Sequence, residues 1–137
     1  MRLTRTAAAA LIIALVVILG FVPHPPAAEG AAISSVRSGR WSEPATWSCA
    51  CVPGPGDSVT VGLGHVVGLI GDNEAFSVRI EAGGKLVVSR LSASSLTLRN
   101  NLIVEGTLDL GTDASPVTMP VLVKWTGINE AAFVGGD

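Results

Sequence analysis

GRWSEPATWSCACVPGPGDSVTV, residues 39–61, is the stretch that decides how this chain folds. Trp41 and Trp47 stand six residues apart, too far for one face of a strand unless the backbone bends. Pro44 lies between them. It forbids a helix interior and holds Glu43 in extended geometry. The two indoles are therefore expected to fold toward each other over the end of a core. The run Pro53-Gly54-Pro55-Gly56-Asp57 is turn chemistry. It delivers Ser58-Val59-Thr60-Val61, which alternates with period two as a half-buried strand does.

Working outward, the same theme returns. Ser77-Val78-Arg79-Ile80 and Ser95-Leu96-Thr97-Leu98 echo Ser58–Val61, and each is followed by a glycine and a second apolar segment. Gly64, Gly84, Gly106 and Gly127 are spaced 20, 22 and 21 residues apart. Leu86 and Val88 follow Gly84 at the offsets at which Leu108 and Leu110 follow Gly106. A period near 21 made of strands and turns marks a solenoid, in which stacked units share one core. Nothing after residue 32 shows a 3.6-residue period, so the class is all-β. An antiparallel β-sandwich, whose strands also recur at short spacing, is the alternative. Trp125 follows Val121 and Val123 at period two and reads as core. Phe133 to Asp137 ends without a polar cap, although solenoids need one. The chain thus reads as truncated or as presenting an open face.

The order Trp41, Trp47, Pro53, Gly56-Asp57, Val59, Val61, Gly64 resembles the G8 domain, over about residues 40–110. The resemblance implies the opening coils of a short right-handed parallel β-helix, preceded by a Trp-containing capping loop. It implies an extracellular module found at the front of cell-surface proteins, some of them linked to hyaluronan or other glycans. The G8-like domain is expected over 40–137. Cys49 and Cys51 lie outside the resembling pattern.

The first 32 residues have the three parts of a secretory signal. Arg2 and Arg5 precede an uncharged apolar run from Ala7 to Val22, and small residues follow. Sixteen apolar residues are short for a permanent span, which needs about 20. A cut after Ala32, Gly30 or Ala28 is expected, and membrane contact only through an uncleaved signal. Residues 33–39, small and polar, read as a flexible lead-in. Once Arg2, Arg5 and Glu29 are set aside, seven basic and ten acidic residues leave a net charge of −3. That argues against a nucleic-acid partner.

Chemistry is sparse. Cys49 and Cys51 in an exported chain suit a disulfide, although they are only two residues apart. Free or intermolecular thiols are a second reading. A metal site with His65 is a third, but two sulfurs and one imidazole fall short of a closed zinc site. No metal and no cofactor are assigned. The carboxylates Glu43, Asp57, Asp72, Glu74, Glu81, Glu105, Asp109 and Asp113 form no paired motif, so a non-enzymatic role is expected. Asp57 reads first as a cap on its own turn. Trp41, Trp47 and Asp57 are the candidate contacts for a glycan, the indoles as stacking platforms. The competing reading makes Trp41 and Trp47 a cap on the core. The expected partners are an extracellular polysaccharide, further β-helix coils or a neighbouring surface protein. Two alternatives stand beside this reading: the front of a β-helical polysaccharide lyase or hydrolase, and a structural cap of a larger adhesin.

Overall fold

The computed structural model describes residues 30–127. Within them run β1 (Ala32–Ser34), β2 (Gly39–Arg40), β3 (Ser58–Val61), β4 (Val66–Leu69) and β5 (Gly71–Ala75). Then come β6 (Ser77–Ile80), β7 (Lys85–Val88), β8 (Ser94–Leu98), β9 (Leu102–Val104), β10 (Thr107–Asp109) and β11 (Val121–Trp125). One 3₁₀ turn, Pro44–Thr46, separates β2 from β3. The strands fall in rotation onto three sheets. β1, β3, β6 and β9 form the first, β2, β4, β7 and β10 the second, and β5, β8 and β11 the third. Every ladder between these strands is parallel. The fold is therefore a β-solenoid of about four turns. A sandwich built from hairpins would need antiparallel neighbours.

The core consists of columns of like residues. Val59 lies against Val78 and Val61 against Ile80. Val67 lies against Leu86, and Leu69 against Val88. Leu108 continues the Leu86 column. Alternate side chains of a strand point to opposite faces, so the period-two apolar residues all turn inward. β-Branched residues suit such a pleated, half-buried surface.

The repeat is less regular than the glycine spacing predicts. Ser58–Val61 does stack on Ser77–Ile80, and Gly84 does align with Gly106, since Lys85 pairs with Thr107. However, Ser95–Leu98 belongs to the third sheet, between β5 and β11. Gly64 is one residue out of line, because Lys85 pairs with Val66 and so sets Gly84 beside His65. Gly127 follows β11, on the third sheet. Corner lengths differ from coil to coil, so spacing along the chain does not equal position in the stack. At Gly106 the stack admits no side chain: a Cβ there would lie 2.3 Å from the carbonyl oxygens of both Glu81 and Gly84.

Residues 33–39 are a correction. They were expected to be a flexible lead-in. Instead Ile33 is buried in the core and pairs with Val59 in the first sheet. Ser35 is buried too, and Gly39 pairs with Val67. Ile33, at the right register, recruits this mostly polar segment into a ladder, while Val36 stays exposed. β5 is the other surprise. Gly71-Asp72-Asn73-Glu74-Ala75 is poor in strand formers. Pairing along its full length with β8 imposes the strand. Asn73 turns inward, and its amide nitrogen donates to the carbonyls of Gly71 at 3.0 Å and Ser95 at 3.1 Å.

The two ends of the core differ. Trp41 and Trp47 close the first end. At the other, Trp125 continues the inward Ala75–Leu98 column yet stays 43% exposed. Val104 and Leu110, also on inward columns, are each 44% exposed. The core position expected for Trp125 is thus reached in register but not in burial, since no described residue lies beyond it.

Candidate functional site

The site sits at the closed end and is assembled by the Trp loop. Glu43 is extended at φ −93°, ψ 114°, and Pro44 opens the 3₁₀ turn, where its missing N–H costs nothing. The turn brings Trp47 back across β1. Val36 N–H bonds the Thr46 carbonyl, and Ser48 N–H bonds the Ser34 carbonyl. Trp41 and Trp47 are 1% and 2% exposed and pack edge to face, with centroids 5.0 Å apart. Neither offers a ring face to a sugar. Their burial fits the cap reading of the two indoles and leaves neither ring open as a stacking platform.

The loop that follows is pinned in two places. Cys49 and Cys51 form a disulfide, with Cα atoms 5.1 Å apart. Ala50 between them takes left-handed geometry at φ 51°. Both sulfurs are spent in the bridge, so the thiol and metal readings of this pair fall away. His65 has its own partner: Ser35 Oγ stands 2.8 Å from Nδ1. Asp57 pins the second place. Its Oδ2 accepts from Gly54 N–H at 2.7 Å, and its Oδ1 accepts from Ala31 N–H at 2.9 Å. Asp57 therefore caps its turn and ties β1 to it, leaving the carboxylate occupied as a structural clasp.

Between this pinned loop and β5 lies a cleft of about 230 Å³. Trp41, Ser42, Val52, Pro53 and Gly54 line one side, and Asp72, Asn73 and Glu74 line the other. Asp72 and Glu74 are exposed and share one face of β5, about 6.6 Å apart along a strand rising ~3.3 Å per residue. Asp72 Oδ1 accepts from Ser95 Oγ–H at 2.7 Å. Trp41 Nε1–H is buried without a hydrogen-bond partner. Of the three candidate contacts only Trp41 reaches the cleft, and it does so as wall. Asp72 and Glu74 were visible in the sequence as acidic residues. Their signal was the Asp-Asn-Glu alternation about an inward Asn73, hidden because β5 does not look like a strand.

Elsewhere three cations are held by carboxylates. Arg79 holds Glu105 through two bonds, at 2.8 and 3.0 Å. Asp109 lies between Lys85 and Arg90, each at 3.0 Å, and also accepts from Gly111 N–H. The Lys85 ammonium, the Arg90 guanidinium and that N–H hold the Asp109 carboxyl far below the usual carboxylate range. Asp57, Glu105 and Asp109 are thus engaged in holding the coils together.

Comparison with known proteins agrees with this architecture. The family model described as "G8 domain" matches residues 46–134, more than half of the chain. Mouse fibrocystin is 36% identical over 91 residues, which cover 64% of this chain and 2% of that protein. The chain thus spans a small fraction of that relative's length. No solved structure gives a significant match. With the model spanning Trp47, the Pro-Gly-Asp turn and the parallel coils from β3 onward, this chain is a member of the G8 domain family.

Proposed function

We propose that this chain is an exported, non-enzymatic module that binds a saccharide in the cleft between Val52–Gly54 and β5. Membership of the G8 family and the likeness to fibrocystin point to an extracellular or cell-surface protein. The cleft carries the ligand part of the reading. It joins an apolar wall of Val52 and Pro53 to two exposed carboxylates and Ser42, the mixture that grips a polyhydroxylated ring. Its walls are fixed before any ligand arrives, by the disulfide, by Asp57 and by the β5–β8 ladder, which lowers the entropic cost of binding. The test is retention on an immobilised glycan panel, compared between wild type and Asp72→Ala/Glu74→Ala. Retention lost in a variant that melts like wild type supports the site; equal retention by both, or by neither, removes it.

A second reading concerns the open end. Val104, Leu110 and Trp125 present inward columns there, and the outer edges of β9, β10 and β11 have no strand beyond them among the described residues. This end is suited to a further β-coil, either of the same polypeptide or of a neighbouring surface protein. Extending the described ladders would bury those three side chains. Amide hydrogen exchange on a preparation carrying further coils should show β9 to β11 as protected as β6 to β8. Fast exchange confined to β9–β11 in that preparation would count against stacking.

A further inference from the structure

We propose that the Cys49–Cys51 bridge is a thiol-exchange site. A small external thiol attaches to Cys51 Sγ, and Cys49 leaves as the thiolate. Four observations carry this. First, Cys49, Ala50 and Cys51 are all exposed, so the bridge lies at the surface. Second, Ala50 is the one non-glycine residue at positive φ among the described residues, at 51°. A β-carbon in that geometry crowds the following carbonyl, and the bridge across Ala50 holds it there. Opening the bond lets Ala50 relax, which favours the reduced form. Third, the two sulfurs are not equivalent. Cys51 N–H donates to Cys49 Sγ at 3.2 Å, whereas no donor meets Cys51 Sγ among the described residues. As the S–S bond breaks, that N–H meets the charge appearing on Cys49. Once protonated, the Cys49 thiol can donate to the Cys51 carbonyl, 3.3 Å away. Fourth, the fold does not lean on the bond. Only Ala50 lies between the two cysteines, so the bridge constrains the unfolded chain little. Trp47 beside it is anchored independently, by its indole bond to the Trp41 carbonyl at 2.7 Å.

The chain has two cysteines and both are in the bridge, so the attacking sulfur comes from another molecule. A thiolate RS⁻ bonds to Cys51 Sγ, the Cys49–Cys51 bond breaks, and its electron pair leaves on Cys49. Two outcomes follow. Cys49 attacks Cys51 Sγ again and expels RS⁻, which restores the bridge. Alternatively a second RS⁻ attacks the sulfur of the bound thiol and releases RSSR. Two thiols are then oxidised, the bridge is reduced by two electrons, and the protons of the two thiols end on Cys49 and Cys51.

The probe is glutathione. The oxidised chain is equilibrated in mixtures of its reduced and oxidised forms, quenched with acid, alkylated and mapped by mass spectrometry. The buried inter-sheet bridge of an immunoglobulin domain serves as reference in the same buffers. The Cys49–Cys51 bridge is expected to be reduced with an equilibrium constant roughly 100-fold above the reference. The reduced chain should still melt cooperatively, close to the oxidised midpoint. Samples quenched before equilibrium should carry glutathione on Cys51 in roughly tenfold excess over Cys49. A bridge as resistant as the reference overturns the proposal. Loss of the cooperative melt on reduction also overturns it, since the bond would then be holding the fold. Glutathione found equally on both sulfurs, or mainly on Cys49, refutes Cys51 as the sulfur attacked.

Discussion

Trp47 donates its indole N–H to the main-chain carbonyl of Trp41 at 2.7 Å, while the two rings meet edge to face at 72°. One residue thus supplies both the lid and the latch. The bond satisfies a polar group that burial would otherwise penalise, and the ring is buried in the core cluster beside β1, where Trp47 bridges Ser35. The five-residue loop between them closes one end of the solenoid, where an uncapped stack would leave apolar residues in water.

Replacing Trp47 with alanine should therefore unfold the domain rather than weaken a binding site. Truncating a buried aromatic costs about 3–5 kcal/mol, against a total stability of about 5–15 kcal/mol. Urea denaturation followed by circular dichroism measures it. Trp47→Phe keeps a ring but loses the bond to Trp41, and should cost less, about 1 kcal/mol for the bond plus the lost ring volume. A Trp47→Ala protein with the wild-type midpoint would show that the indole pair is not the cap.

Gly106→Ala should destabilise by about 1–3 kcal/mol or more, since its Cβ would strike two carbonyl oxygens of the coil beneath. Main-chain atoms in a ladder cannot step aside as a flexible side chain can. Gly68 provides the control. It sits in β4 with nothing within 4 Å of a Cβ, so Gly68→Ala should be neutral or slightly stabilising. Equal thermal shifts for the two variants would contradict the stacking geometry at Gly106.

Acid should loosen the β7–β10 contact. The Asp109 carboxyl titrates lower in the folded chain than in the unfolded one, where its value is about 3.9. The unfolded state therefore takes up the proton first. The stabilisation from Lys85 and Arg90 is fully present above about pH 4 and is lost progressively as the pH falls below it. Asp109→Asn should lower stability at pH 7 and flatten the decline between about pH 4 and pH 2. Melting curves across that range check both effects, and parallel declines for variant and wild type would assign the acid response elsewhere.

Export should remove the leader upstream of β1. Ala31 N–H bonds Asp57, Ser58 N–H bonds the Ala31 carbonyl, and Ala32 pairs with Ser58. A cut after Ala32 would delete those contacts, whereas a cut after Ala28 or Gly30 spares them. Intact-mass measurement on exported protein should place the first residue at Glu29 or Ala31. A start at Ile33 would show that the chain folds without this tie, and a full-length membrane-extracted chain would show that no cleavage occurs.

The alternation in Ser58–Val61, Ser77–Ile80 and Lys85–Val88 was enough to establish strands and one shared core. The Trp41–Pro44–Trp47 order was enough to establish a cap. These are local properties, written in a side-chain period of two and in the fixed φ of proline. Asp57 as a turn clasp was legible for the same reason, because its Gly54 partner lies three residues away. Tertiary structure alone decided the rest. It set Ser95–Leu98 on the third sheet, pulled Ile33 into the first, and made a strand of Gly71–Ala75, because corner length and ladder pairing override local propensity. It also brought Asp72 and Glu74 across from Val52–Gly54 and Trp41, residues some twenty to thirty positions apart in the chain. Neither that cleft nor the uneven burial of Trp41 and Trp125 is written in any window of sequence, since both depend on which coil lies above and which lies below.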